Sequence, residues 1–322
     1  MAQSALIQFL AVLMTLLCAP LLRGVINRLK AIIQSKHGPS IWQPYYDYWK
    51  LLRKGRVISE HATWIYRAAP PLVFMTPLIV ASLIPVLTAY PLPYAFMGDM
   101  LAGGFILSLG GFFTSIAAMD TGSAFGGMGS SRARVVSLFA EPVVLLILFT
   151  VTLIAHVTIP FIVNQTLTSP AYLFSPEHWL LAAALFLVIL AESGRIPLDN
   201  PSTSFELSMI ESSRLIEYSG SDLALMEWGG AMRLFVLLTI LLNVLSTPFG
   251  LAPEGASGVA LLGALGLAIG SLLVKMLIIC VLIVIIESAV AKWRFFRVPE
   301  FLGFALGLAG LALLASYIIP HG

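Results

Sequence analysis

Charged residues are scarce in this chain. Only 11% of its 322 residues are Asp, Glu, Lys or Arg, and 59% are hydrophobic, whereas soluble globular domains carry about 25% charged residues. Cysteine is scarcer still, with only Cys18 and Cys280, each in an apolar run. Because two lone cysteines hold neither an iron–sulfur cluster nor a structural zinc, we interpret them as small hydrophobic residues and expect any metal cofactor in a partner protein.

Catalytic signatures are missing as well. The sequence contains no GxSxG, HExxH or P-loop pattern. The run GGMGSSR (126–132) is rich in glycine, but no strand precedes it, so we expect a flexible re-entrant turn rather than a phosphate cradle. The apolar N-terminus has its first basic residue, Arg23, after the apolar run, which favours an uncleaved first span over a signal peptide.

Long apolar runs dominate what is present. A helix needs about 20 apolar residues to cross a bilayer, and the runs predict an all-α integral membrane bundle with residues 1–322 in a single membrane domain. The fifth predicted span is short, and the seventh contains Lys275. We predict eight transmembrane helices, at about 4–22, 69–90, 98–119, 137–160, 178–193, 232–249, 259–287 and 300–319.

The basic residues predict the orientation of these spans. All Lys and Arg except Lys275 lie in or at the ends of the first, third, fifth and seventh loops, and the loops between them have none. Since cytoplasmic loops carry the excess of Lys and Arg, we expect these basic loops on the cytoplasmic side of a bacterial or archaeal cytoplasmic membrane. Both termini are then on the non-cytoplasmic side.

A long acidic loop joins the fifth and sixth predicted spans. Only Arg195 and Arg214 lie near its acids, and carboxylates packed together raise one another's pKa, which prepares protons for transfer. Single members have simpler explanations: Glu206 has capping-box spacing from Thr203, and Glu211 can pair with Arg214. The acids of residues 192–227 are Glu192, Asp199, Glu206, Glu211, Glu217, Asp222 and Glu227.

Other ionisable residues lie inside or at the edges of predicted spans. A charge at mid-membrane costs on the order of 3 kcal/mol, so such groups usually face a wet interior, although those near a span end can extend to the surface instead. We interpret His156 as a surface residue. We predict a proton pathway that comprises Glu141, Glu192, Asp199, Glu206, Glu211, Glu217, Lys275 and Glu287.

An aromatic segment follows the Gly38-Pro39 turn in the first loop. Its rings, with Leu51, Leu52, Arg53 and Lys54 after them, predict an amphipathic helix lying in the membrane interface. The same residues could instead line a docking surface or a chamber for a quinone-like headgroup. The candidates for that chamber are Lys36, His37, Trp42, Tyr45, Tyr46, Arg195 and Asp199.

Four stretches together resemble a known family, the H subunit of bacterial NADH:quinone oxidoreductase (complex I). The chain is more similar to the counterpart of that subunit in membrane-bound nickel–iron hydrogenases of the formate-hydrogenlyase and hydrogenase-4 type. Ser202 and Ser204 stand where the complex I subunit has further glutamates. The matching stretches are RIPLDNP (195–201), EYSG (217–220), KHGPSIWQPYYDYWKLLRK (36–54), and MDTGSAFGGMGSSR followed by Glu141-Pro142 (119–142).

The resemblance implies a membrane anchor and coupling subunit that has no catalytic centre. Such a subunit lies beneath hydrogenase-like large and small subunits and an iron–sulfur subunit on the cytoplasmic face, and beside antiporter-like membrane subunits. The nickel–iron centre and the iron–sulfur clusters are expected in those partners, and no feature indicates nucleic-acid binding. Two alternatives remain: a quinone-binding H subunit of a complex I-type enzyme, and a stand-alone transporter, for which inverted repeats are expected.

Overall fold

The structure, a computed structural model, describes residues 2–90, 98–195, 199, 210–246, 249–253, 258–291, 293 and 295–318. Across these ranges the regular elements are helices, as predicted, and β pairing is limited to one isolated bridge between Thr88 and Ala252. The α-helices are α1 (Ala2–Ile33), α2 (Gln43–Leu52), α3 (Trp64–Leu83), α4 (Met100–Asp120), α5 (Ala124–Ala155), α6 (Pro160–Leu167), α7 (Pro170–Leu173), α8 (Pro176–Glu192), α9 (Gly220–Thr239), α10 (Gly258–Ala289) and α11 (Val298–Ile318).

Seven of the described helices are long and apolar enough to cross a membrane. They are α1, α3, α4, α5, α9 with its continuation, α10 and α11. The predicted span at 178–193 corresponds to α8, which is apolar but has only 17 residues. The structure thus supports a multi-pass membrane protein with seven spans by length and composition, and the predicted eighth depends on α8.

Two helices differ from the predicted spans in an informative way. Helix α1 continues to Ile33, well beyond the predicted end at residue 22. Helix α5 begins at Ala124 and includes the glycine-rich run 126–132, so the predicted turn there was wrong. The Ser123 hydroxyl caps the helix by accepting from the Gly126 N–H at 3.0 Å. A Cβ at Gly129 would lie 2.5 Å from the Ser213 Cβ, so glycine is needed here for close packing.

The helices form one bundle in which small residues bring backbones together. Helix α3 packs between α4 and α9, α5 contacts α4, α8 and α11, and α1 contacts α3, α9 and α10. A Cβ at Gly110 would lie 2.8 Å from the Thr76 hydroxyl oxygen, and one at Gly229 would lie 2.7 Å from the Val73 carbonyl oxygen. Such contacts are typical of helices that associate in lipid, where packing replaces the hydrophobic effect.

The polar residues of the candidate site lie at one end of the bundle. Two short 3-10 turns, Ser212–Leu215 and Phe295–Arg297, lie in the connections at this end. At the far end, α9 continues as a π-helical segment, Ile240–Ser246. Helix α1 is fastened to α9 by the Trp228 indole N–H, which donates to the Leu16 carbonyl at 3.0 Å. The C-terminal part of α1 therefore stands beside the N-terminal part of α9.

Candidate functional site: a charged cavity

A cavity of about 520 Å³ lies where α1, α4, α8 and α9 meet the segment that follows α8. Its deeper wall includes apolar residues such as Val73, Leu234 and Leu237. Ionisable groups this dense among apolar helices have to be paired or hydrated. The ionisable residues of the lining are Arg23, Lys30, Lys36, His37, Glu192, Arg195, Asp199, Glu211, Arg214, Glu227 and Arg233.

The first ion pair joins the end of α8 to α9. The Arg233 Nη2 donates to the Glu192 carboxylate at 2.9 Å, and only 7% of the Glu192 side chain is exposed. The guanidinium lies against α4, because a Cβ at Gly111 would be 2.9 Å from the Arg233 Nη1. Glu141 on α5 is within electrostatic range of both Glu192 and Arg233. Arg233 therefore pairs with Glu192 and acts at longer range on Glu141, on which Arg134 has the larger effect.

The second group is built around a buried carboxylate on α10. The Glu287 side chain is fully buried, accepts from the Arg195 Nη1 at 3.0 Å, and has the Lys30 ammonium nitrogen 3.4 Å from its other oxygen. Its partners come from the loop after α8 and from the extended end of α1. Because α1 continues past residue 22, Lys30 lies beside the Glu287 carboxylate, which would be costly to bury without a cation.

The third group orders the described part of the acidic loop. One oxygen of the Asp199 carboxylate accepts from the backbone N–H groups of Ile210 and Glu211, at 3.0 and 3.1 Å. Glu211 pairs with Arg214, which also donates to the Ser115 hydroxyl at 3.3 Å. The single pair expected between Glu211 and Arg214 is therefore present, but it belongs to a network that ties the loop to α4.

A fourth group lies under α2. The Arg23 guanidinium donates to the Glu227 carboxylate and to the Tyr48 hydroxyl, both at 3.4 Å. The Tyr48 ring stacks on Trp228, with centroids 5.4 Å apart. Burial raises the pKa of Tyr48 and the Arg23 cation opposes that rise, so the phenol stays neutral and can accept from Arg23. A smaller polar pocket of about 120 Å³ adjoins this group on the α2 side.

Three predicted pathway residues lie either outside the described chain or away from the cavity. Glu206 lies outside the described residues. Glu217 is exposed, and its carbonyl accepts from the Tyr66 hydroxyl at 2.7 Å. The Lys275 ammonium donates to the Asn243 side-chain oxygen at 3.4 Å and to the Phe249 carbonyl, beside the π-helical end of α9. The other five, Glu141, Glu192, Asp199, Glu211 and Glu287, lie at or next to the cavity, and their role in proton transfer stays a prediction.

The predicted docking residues divide between two surfaces. Lys36 and His37 line the cavity, as do Arg195 and Asp199 from the acidic loop. Trp42 and Tyr46 are more than half exposed on the outer face of α2. Tyr45 turns towards α1, where its hydroxyl donates to the Leu17 carbonyl. Only part of the predicted set therefore faces a common space.

Sequence reasoning missed the cations of the site. Arg23, Lys30 and Arg233 were noted only as loop charges, and Glu227 only as one of many acids. Arg23, Asn27 and Lys30 recur at the three- and four-residue spacing that places side chains on one face of a helix, and all three line the cavity. That spacing would have revealed the polar face of α1, had the helix been predicted to continue past residue 22.

Metal ligands are not gathered in the described part of the chain. No group of three or more His, Cys, Asp or Glu residues is placed there to hold an ion. Cys18 on α1 is half-buried and Cys280 on α10 is buried, and both thiols are free. The site offers charge, hydrogen-bonding groups and space.

Comparison with known proteins identifies relatives over nearly the whole chain. Residues 5–317 match the family described as NADH dehydrogenase. Hydrogenase-4 component C of Escherichia coli (strain K12) is 32% identical over 92% of this chain and 91% of its own length. Formate hydrogenlyase subunit 4 of the same organism is 30% identical over 97% of this chain and 98% of its own length.

A solved structure shares the fold. It is that of the membrane-bound sulfane sulfur reductase, an archaeal respiratory membrane complex, in which a chain superposes with a TM-score of 0.79 at 20% identity and covers 98% of this chain. That chain is itself matched over 99% of its length. The four stretches quoted from the sequence pointed to the same relatives. The chain belongs to the NADH dehydrogenase family and is a homologue of hydrogenase-4 component C and formate hydrogenlyase subunit 4.

Proposed function

We propose that this chain is the membrane anchor and coupling subunit of an energy-converting respiratory-type complex, a membrane-bound nickel–iron hydrogenase of the formate-hydrogenlyase type. The observation that carries the proposal is the cavity bordered by ion pairs, which join Glu192 to Arg233 and connect Arg195 of the acidic loop to Glu287. The curated relatives are components of hydrogenase-4 and formate hydrogenlyase. The chain itself supplies no catalytic centre.

The proposed membrane arrangement has eight spans, with α8 as the fifth. Its 17 residues reach the lower end of the length that crosses a bilayer. With α8 counted, the basic loops lie on the cytoplasmic side and both termini lie on the other side of a bacterial or archaeal cytoplasmic membrane. The cavity, whose lining includes Lys36, His37 and Asp199, then lies at the cytoplasmic end of the bundle.

The proposed partners follow from that arrangement. Hydrogenase-like large and small subunits and an iron–sulfur subunit cover the cytoplasmic face, and they hold the nickel–iron centre and the clusters. Antiporter-like membrane subunits pack against the lipid-facing helices. The half-buried thiol of Cys18 and the buried thiol of Cys280 lie on different helices, which supports placing the clusters in the partners.

Coupling runs through the ion pairs. Electron transfer in the peripheral arm shifts the acidic loop and changes the protonation of Asp199, Glu206, Glu211 and Glu217. Because Arg195 and Arg214 connect that loop to Glu287 and α4, movement of the loop changes the partners of the buried carboxylates. Glu192, which pairs with Arg233, and Glu141 then release or accept ions at the membrane subunits, with Lys275 on the far side.

A substitution at Glu141 tests this proposal. In the assembled complex in vesicles, Glu141→Gln should leave hydrogen turnover in place but reduce the ions translocated per hydrogen. The exposed Glu300, at the start of α11, gives the control Glu300→Gln, which should change neither quantity. Fully coupled activity in Glu141→Gln would remove this residue from the pathway.

Quinone binding is the second candidate function. The cavity volume lies in the range of about 300–1,000 Å³ found for ligand sites, and its polar mouth with an apolar inner wall could accept a headgroup and tail. Against this, such sites usually have few charged groups, and this cavity has many. Reduction of a quinone analogue by the purified complex, blocked by a headgroup mimic, would favour the quinone-binding alternative.

A further inference from the structure

Helix α2 presents an exposed aromatic face on the side away from the bundle. Pro44 and Tyr48 are buried against the bundle, where α2 contacts α9 and α1. Trp42, Tyr46 and Trp49 lie on the opposite side of the helix, because positions i, i+4 and i+7 share one face. Their exposed fractions are 58%, 65% and 59%.

A basic cluster borders the aromatic face. Lys50, Arg53 and Lys54 are all exposed at the C-terminal end of α2, where the helix dipole also favours cations. The Arg53 guanidinium carbon lies 4.5 Å from the centre of the Trp49 ring. Asp47 is one turn away, and its carboxylate accepts from the Gln43 amide at 2.9 Å. The cluster therefore keeps a positive charge next to the aromatic rings.

The contacts of α2 with α1 indicate its depth. The Tyr45 hydroxyl donates to the Leu17 carbonyl, and the chain before α2 crosses α1 at Gly24, where a Cβ would collide with the Ile41 carbonyl oxygen. Both contacts fall near the end of the apolar run of the first span. Tryptophan and tyrosine concentrate at the headgroup level of membranes, which is the level where the apolar run of the first predicted span ends.

We propose that the face formed by Trp42, Tyr46 and Trp49 with Lys50, Arg53 and Lys54 binds the phosphate of an anionic phospholipid. The rings enter the headgroup region, and the guanidinium and ammonium groups pair with the phosphate and the additional negative charge of the lipid. This inference rests on the proposed placement of the chain in a membrane and not on the proposed coupling. The charges select anionic lipid over zwitterionic lipid.

Quenching by brominated lipids tests the selectivity. The full chain is reconstituted in nanodiscs of phosphatidylcholine that contain increasing brominated phosphatidylglycerol or brominated phosphatidylcholine. The chain has six tryptophans, so the signal of Trp49 is taken as the difference from Trp49→Phe. We expect phosphatidylglycerol to quench Trp49 several-fold more effectively than phosphatidylcholine. Arg53→Gln/Lys54→Gln should reduce that several-fold preference to equal quenching by the two lipids.

A matched control separates the site from general surface charge. Arg67 and Arg297 are exposed cations outside α2, so Arg67→Gln/Arg297→Gln removes the same charge and should keep the preference. Equal quenching by both lipids in the unaltered chain, or an equal loss in the control, would overturn the proposal. If Trp49 in the assembled complex is quenched by neither lipid, a partner protein covers the face and the lipid is not its occupant.

The outcome is independent of redox coupling. The isolated chain in nanodiscs transfers no electrons, so the quenching result stands even if Glu141 proves irrelevant to ion translocation. Conversely, a chain that shows no lipid preference can still be the coupling subunit. Circular dichroism spectra of the variants, expected to be unchanged because the substituted side chains are exposed, show that the helices remain folded.

Discussion

At the scale of single residues, Arg233 is the point where several helices meet. It comes from α9, pairs with Glu192 at the end of α8, and lies against Gly111 of α4. Its charge also acts on Glu141 of α5. The carboxylates of Glu192 and Glu141 can lie close together because Arg233 pairs with the first, while Arg134 and, more weakly, Arg233 act on the second. The arrangement depends on the missing side chain at Gly111.

Gly111→Ala should therefore displace the Arg233 guanidinium. We expect a destabilisation of about 1–3 kcal/mol from overpacking, measured as a lower unfolding midpoint, together with fewer ions translocated per hydrogen. On the same helix, a Cβ at Gly103 would have Val80 at an ordinary 3.8 Å, so Gly103→Ala should be harmless. If adding Arg233→Lys to Gly111→Ala restores nothing, the effect of Gly111 does not act through Arg233.

Glu287 is the buried carboxylate with two cationic partners, and its loss should be costly. Glu287→Gln leaves Lys30 and Arg195 near each other in a poorly hydrated place, which should cost about 3 kcal/mol or more. The unfolding midpoint in detergent measures this cost. Glu287→Gln/Arg195→Gln should recover part of the loss because it removes one of the two cations. No change in either variant would show that water already compensates these charges.

At the scale of elements, α2 is a short helix held by side chains rather than by its own length. Tyr45 and Tyr48 hold it on α1 and α9 through hydroxyl groups that must stay protonated. Burial, with a smaller contribution from Cys18, raises the pKa of Tyr45 from 10.0 to about 12. Since the folded state favours the neutral phenol, Tyr45 contributes its full stability below about pH 10 and loses it as the pH rises to about 12.

The alkaline stability of the chain should report this contact. Between pH 9 and 12, the unfolding midpoint of the unaltered chain should fall more steeply than that of Tyr45→Phe, which cannot ionise. At pH 7 the unaltered chain should have the higher unfolding midpoint, because the variant lacks the hydrogen bond to Leu17. If the unfolding midpoints of the two proteins fall in parallel as the pH rises, the pKa of Tyr45 is the same in the folded and the unfolded chain.

The helices themselves were predictable to different degrees. Apolar runs revealed nearly all the long helices, because each needs a continuous apolar surface in lipid. The start of α5 was not predictable, since its glycines are typical of turns and become helical only when Gly129 packs against Ser213. The gathering of acids around the cavity was expected from residues 192–227, but their cations Lys30 and Arg233 approach only after distant helices pack.

At the scale of the whole molecule, α8 decides the topology. Phe174, before α8, and Phe296, before α11, are 80% and 88% exposed. Between them lie α8, α9 and α10. If all three cross the membrane the two positions face opposite sides, and if α8 does not cross they face the same side.

Single cysteines at these positions should settle the count of spans. In a background with Cys18→Ala and Cys280→Ala, Phe296→Cys should react with an impermeant maleimide from the cytoplasmic side and Phe174→Cys from the other side. Right-side-out and inside-out vesicles give the maleimide access to the non-cytoplasmic and the cytoplasmic side, respectively. Labelling of both positions from one side would reduce the bundle to seven spans and would reverse the assignment of the later loops.

The contacts that hold α1 in the bundle imply that the chain could be divided after this helix. Several contacts hold this helix from outside the segment 34–42, among them Trp228 to Leu16, Glu227 to Arg23 and Glu287 to Lys30. A protease cut at the exposed Lys36 breaks none of them. Residues 1–36 should then co-purify with the remainder as a separate peptide, and the first span could be supplied in trans from its own reading frame.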